Sequence, residues 1–353
     1  MKTIRHNLAL LLLLMLPCLA LAGNNEEGGK YTKEKKIAKA YLVNADCGLQ
    51  VNNQFGSIYV TTWDENKTQI EVLIKVSGNN EEKVNKRIAS INVDFNATVA
   101  LVKAATSIGN MSGSNISMEI NYTIKIPKKG GININNQYGP IITGKINGKA
   151  IIDCQYGDLN IDELNAENNI LKMQYCGNGK VNYMNSGDVN VQYSSLNIAK
   201  SDNLKLKGQY TDMIIGETHN LTYKTEYGDL TVRSVDNVTG VGNYSDLIFG
   251  YVSGNFNGTT NYGDLTINSM SKDSKNVAIT ATYSDIKVNY NESLPFDFEF
   301  TIEYADLRGA SALKFTEKND RDNTARYKGY NKAQGVNRMY IKSEYGDINL
   351  GKN

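Results

Sequence analysis

From residue 129 to residue 353 apolar and polar side chains alternate in short runs, and the alternation breaks at a recurrent tyrosine. Counting back from Tyr304, Ile302, Phe300 and Phe298 are apolar while Glu303, Thr301 and Glu299 are polar. Leu221, Tyr223 and Thr225 alternate in the same way with Thr222, Lys224 and Glu226 before Tyr227. Period two means strand, and it places each tyrosine at the inward end of one. Beyond the tyrosine the apolar positions resume with shifted parity, as at Leu159 and Ile161, Leu196 and Ile198, or Leu265 and Ile267, so the chain must bend there. The unit is Tyr, a small residue, usually Asp, then an aliphatic. It occurs at Tyr138, Tyr156, Tyr175, Tyr193, Tyr210, Tyr227, Tyr244, Tyr262, Tyr283, Tyr304 and Tyr345, at intervals of 18, 19, 18, 17, 17, 17, 18, 21, 21 and 41 residues.

Seven residues before the tyrosine stands a second column, Asn168, Asn203, Asn220, Asn237, Asn255 and Asn276. Asparagine tolerates left-handed backbone and bonds its neighbours, which suits a second corner. Two short strands and two corners in about 18 residues describe a rung that cannot bury its inner face alone. The expected fold is therefore all-β, a single-stranded parallel β-helix or β-solenoid with an N-terminal α+β cap. A transmembrane barrel would need strands of about 9–11 residues with an apolar outer band. Here the outward positions carry Asn, Thr, Lys, Gln and Glu.

The chain divides into four segments. Residues 1–22 combine Lys2 and Arg5, the apolar block Leu8 to Leu16 and Ala20-Leu21-Ala22, the pattern of a cleaved secretory signal; Pro17 before Cys18 argues against lipidation there. Residues 23–38 are polar and read as a flexible linker. Residues 39–128 hold a first rung at Phe55-Gly56-Ser57-Ile58 and a capping region: strands at Gln69–Val76, around Ile91–Val102 and around Ile116–Ile126, and a helix over Glu81–Ile91. Residues 129–353 are the repeats, with a polar insertion at about 310–338 that reads as a solvated loop or terminal cap, or alternatively as a partner-binding loop.

The succession of a Gly-Ser-Ile strand ending in Thr62-Trp63-Asp64, the strand Ile70-Glu71-Val72, a short helix, the strand end Ile124-Lys125-Ile126-Pro127 and Gly-x-Ile repeats resembles the putative adhesin family of bacterial β-strand-repeat proteins, from about residue 39 onward. The resemblance implies adhesion at a surface or envelope, with a glycan, surface or envelope protein as partner.

Composition narrows the chemistry. The 38 Lys and Arg against 37 Asp and Glu give a net charge of +1, which offers no global field for nucleic acid. Without residues 1–22 the chain keeps one histidine, His219, so multi-histidine metal sites and histidine-pair mechanisms are excluded. Cys47, Cys154 and Cys176 are an odd count, hence no disulfide framework; they read as small buried residues, and a Cys154–Cys176 bridge is conceivable although the two fall in different columns. Asp212, Asp229, Asp246, Asp264, Asp285 and Asp306 form a column on consecutive units. Stacked at rung spacing they repel by about 0.9 kcal/mol per pair in a water-like dielectric, so each must be solvated, bonded to backbone N–H groups, or bridged by calcium. A uniform ladder supplies no carboxylate pair in split environments. The tyrosine column reads as core. No cofactor is implied, and the expectation is a non-enzymatic exported protein, periplasmic, surface-bound or secreted. The rivals are a glycan- or calcium-binding envelope module using the Asp/Tyr corner and a polysaccharide-active β-helix enzyme.

Overall fold

The computed structural model describes residues 29–110 and 115–353, so the expected signal segment, Cys18 and the first part of the expected 23–38 linker lie outside the described residues. One helix and 27 strands appear among them, and the strands are hydrogen-bonded into a continuous sheet. Corresponding strands of successive units lie side by side, parallel and in register. Leu204 pairs with Leu221, Leu221 with Val238, and Val238 with Phe256. The strand after the tyrosine does the same, Leu196 with Met213, Met213 with Leu230, and Leu230 with Leu247. The fold is thus all-β and solenoid-like.

Identical register is what stacks like on like. Along the strand Asp212–Glu226, Met213, Ile215 and Thr218 are buried before the asparagine corner and Leu221, Tyr223 and Thr225 after it, and the next unit covers both. A wide part of the core is filled by rings: Phe249 meets Phe256 edge-on at 4.9 Å and Tyr223 at 5.9 Å. Glycines make the room. A Cβ on Gly240 would lie 2.3 Å from the Tyr223 ring, and one on Gly258 2.7 Å from the Phe256 ring. The Tyr223 hydroxyl is buried without a partner among the described residues, and burial pushes its pKa well above the ordinary value.

Both ends of the stack are closed by antiparallel strands. At the first end Tyr31–Leu42 pairs with Lys67–Gly78, which pairs in turn with Ile116–Pro127. Residues 31–38, expected as linker, are therefore strand. Their alternation is masked because this edge strand buries almost nothing, and its lysines suit an outer edge that must not recruit another chain. The helix Glu81–Ala89 begins at Asn80, whose side chain accepts from the Lys83 N–H, and buries Val84. The stretch expected as one strand around Ile91–Val102 is a hairpin, Ile91–Ala97 with Leu101–Ile108.

The other end is built differently. Residues 314–331, inside the expected loop, form the hairpin Lys314–Arg321 and Thr324–Asn331, laid antiparallel on Phe296–Glu303. The chain then turns back. Arg338–Glu344 pairs in parallel with Val277–Thr282 on one side and Phe296–Glu303 on the other, and Ile348–Lys352 sits likewise between Ile286–Tyr290 and Leu307–Arg308. The last unit in sequence is thus the penultimate one in space, and the 41-residue interval is the path out to the cap and back.

Candidate interaction surfaces

Every repeat tyrosine has a positive φ, from 49° at Tyr193 to 59° at Tyr138, and Phe55 has 61°. Left-handed backbone at a bulky residue is an outlier, and twelve in line are a built feature. The inversion overturns the inward expectation. Alternation carries Tyr223 and Thr225 inward, but the residue after Glu226 leaves the extended region, so its side chain swings out of the core. The repeat tyrosines are 45–50% exposed. Their N–H groups still bond the neighbouring unit, as from Tyr210 to the Glu226 carbonyl at 2.9 Å, so the sheet continues through the corner.

The small residue next to the tyrosine is the one that turns in. Thr211, Ser245 and Ser284 are buried, and each hydroxyl donates to the carbonyl two residues earlier, at 3.0 Å in all three. The rings stack outside, in the spatial order Phe55, Tyr138 through Tyr283, Tyr345, Tyr304. Centroids are 4.7–5.1 Å apart and planes within 15°. Every face between the terminal rings Phe55 and Tyr304 is covered by a neighbour; edges and hydroxyls are what this edge presents.

Tyr244 offers a direct check. Its replacement by alanine forfeits two ring contacts, about 0.5–1.5 kcal/mol each, and keeps the left-handed backbone strain of about 1–2 kcal/mol that the tyrosine already bears. Glycine forfeits the same contacts but relaxes the backbone. Urea denaturation should find Tyr244→Ala destabilising by about 1–3 kcal/mol and Tyr244→Gly by about 1 kcal/mol less. Equal losses would contradict this account of the corner.

The aspartates run beside the rings. The N–H of Asp229 donates to Oδ1 of Asp212 at 3.0 Å, and the pattern repeats through Asp246, Asp264, Asp285 and Asp347 to Asp306. Each carboxylate but the terminal one of Asp306 thus has one oxygen on a backbone donor, which offsets the repulsion along the column. At the end Arg308 pairs with Asp347 at 2.8 Å and Asp306 at 3.4 Å. Among the described residues no three His, Cys, Asp or Glu side chains group so as to hold a metal ion.

At the opposite corner the amides of Asn220, Asn237 and Asn255 each donate to Oδ1 of the preceding asparagine, Asn203, Asn220 and Asn237, at 2.8–3.1 Å. The N–H of Asn276 donates to Asn255. Only Asn168 of this column is left-handed; at Asn203, Asn220 and Asn237 long strands such as Asp212–Glu226 pass through without a break, while Asn255 and Asn276 stand just before a new strand. His219 projects from this edge. Its Nδ1 lies 2.7 Å from Oδ2 of Asp236, whose carboxylate raises the imidazole pKa, and Ser253 donates to the other oxygen of Asp236. The serine is bonded to the aspartate and not to the imidazole, so the three groups do not form a proton relay.

Cys47, Cys154 and Cys176 are buried free thiols. Cys176 Sγ donates to the Cys154 carbonyl at 3.2 Å, and the adjoining Cys176 thiol together with burial pushes the Cys154 pKa up.

One surface went unnoticed in the sequence. On the outer face of the strands before Tyr175 to Tyr227, Lys172, Lys205, Lys207 and Lys224 line a groove of about 460 Å³. Three of them stand three residues before a tyrosine, so a column of lysines could have been read from the spacing.

A family model described as Toastrack DUF4097 matches residues 49–351. Among solved structures, one described as a putative adhesin from Parabacteroides merdae is 12% identical, covers 92% of this chain and 97% of its own, with a TM-score of 0.32. A second, from Parabacteroides distasonis, is 10% identical over 88% and 97%, TM-score 0.32. A third, from Bacteroides fragilis, is 16% identical over 90% and 97%, TM-score 0.25. No curated protein matches in sequence.

Proposed function

The chain belongs to the Toastrack DUF4097 family, and from that premise we propose that it is an exported, non-enzymatic β-solenoid of about 18-residue rungs that serves as an adhesin-like interaction scaffold, with the tyrosine edge as its contact surface. The observation that carries this reading is the unbroken ladder of twelve stacked rings, eleven of them half-exposed tyrosines. Exposed aromatic side chains in one continuous line mark a contact surface rather than scattered surface residues. Because the faces are already occupied, a partner meets ring edges and a row of hydroxyls at fixed spacing. That favours a repetitive, hydrogen-bonding surface such as a glycan or an envelope protein. No helix among the described residues is long and apolar enough to cross a membrane.

The test is a triple substitution, Tyr210→Phe, Tyr227→Phe and Tyr244→Phe, assayed on a glycan array and for attachment of cells carrying the chain. The rings and their stacking survive, so the melting temperature should stay within a few degrees while binding falls. Undiminished binding by the triple variant, or unchanged attachment when the gene is deleted, would refute the proposal.

A further inference from the structure

The geometry points to a second binding site, independent of the tyrosine edge: the lysine-lined groove on the sheet before it, fitted to a linear polysaccharide bearing carboxylates. Three adjoining hollows share their walls. The central one, about 460 Å³, is bordered by Lys172, Lys205, Lys207 and Lys224. Toward the asparagine corner it runs into one of about 400 Å³ that shares Asp188, Lys205 and Thr222 and is rimmed by Asn168, Asn203 and Asn220. Toward the tyrosine corner a smaller one, about 150 Å³, shares Lys207 and Lys224 and is rimmed by Gln192 and Gln209. Together they follow the strand direction across the sheet. From Asn220 to Glu226 that is roughly 20 Å, room for several units of a linear polymer.

Charge selects the ligand. The central hollow carries four lysines against one carboxylate, Asp188, while the flanking hollows add Glu167 at the asparagine end and Glu226 at the tyrosine end, so the positive charge is concentrated in the middle of the groove. Lys205 reaches Asp188 at 3.7 Å and Lys224 reaches Glu226 at 2.9 Å, while Lys172 and Lys207 make no ion pair among the described residues. Lys207 and Lys224 are direct partners on adjacent parallel strands, so their ammonium groups repel across a single strand spacing. An anionic chain laid in the groove relieves that repulsion. The rims supply amides, which donate to and accept from sugar hydroxyls. Tyr223 has its ring buried beneath the groove, so no aromatic face is offered for bases to stack on, and this disfavours a single-stranded nucleic acid.

The experiment measures binding of the chain to polygalacturonate, with pullulan as the uncharged linear control and single-stranded DNA and phosphatidylglycerol vesicles as other polyanions. Polygalacturonate should bind, weaken as salt is raised, and lose about tenfold in affinity with Lys205→Gln plus Lys207→Gln. The pair Lys35→Gln plus Lys39→Gln, which removes the same charge from the distant edge strand, should bind as the unsubstituted chain does, and so should the tyrosine-to-phenylalanine triple variant. No binding at low salt, equal binding of pullulan, DNA or vesicles, or an equal loss in both lysine pairs would each overturn the assignment.

Discussion

A chain ending at Asn337 is expected to lose the C-terminal part of its fold and to associate. The removed segment is an interior rung, and it takes Met339, Ile341, Ile348 and Leu350 out of the core. At about 1.5–3 kcal/mol per buried aliphatic side chain the loss is roughly 6–12 kcal/mol, which matches the whole stability of many domains, about 5–15 kcal/mol. It also unpairs Val277–Thr282 on one side and Phe296–Glu303 on the other, leaving two parallel edges facing an empty slot. Thermal melting and size-exclusion chromatography check this: a lowered, broadened transition and dimers or larger species are expected. A peptide of residues 338–353 supplied in trans should restore the monomer, since its place is defined by two strands already present. An unchanged melting curve and a monomeric elution would show that the segment is an ornament.

The second large effect is Phe249→Ala. The ring is fully buried between Tyr223 and Phe256, and the glycines opposite have no side chains to collapse into the space. Deleting it should cost about 3–5 kcal/mol. In a stack where each unit touches only its neighbours, the loss stays local. Native-state hydrogen exchange should therefore speed up in Leu230–Asn243, Leu247–Val252 and Phe256–Asn261 while the strands around Ile132–Gln137 keep their protection. A cost below about 1 kcal/mol, or uniform acceleration, would mean that the rings are not close-packed as described.

What could be read from the sequence, and what could not, divides along physical lines. Register follows from like residues stacking, so the Tyr, Asp and Asn columns were visible as columns. Which way the tyrosine points was not. Alternation is counted through extended residues, and at Tyr227 the backbone changes sign, a conformation for which tyrosine has no preference that would betray it. The buried Thr211, Ser245 and Ser284 carried the better clue, because a small hydroxyl residue suits the inside of a corner and a ring does not. The strand at Tyr31–Leu42 escaped because backbone pairing, not side-chain burial, defines it. The place of the last rung escaped for another reason: Tyr345-Gly346-Asp347-Ile348 marks a rung by its residues, but nothing local records which neighbours it has.

That last placement bears on the order of assembly. Units from Tyr138 to Tyr283 can be laid down one upon another as the chain emerges, each on a finished predecessor. The unit of Tyr304 cannot, because the strand it rests on lies some forty residues later in the chain. It must wait, held by its own hairpin, until residues 338–352 arrive between it and the unit of Tyr283. Completing this end of the stack is then the closing of a gap and not the addition of a layer, so the unit of Tyr304 joins the cooperative stack only after residues 338–352 have been made.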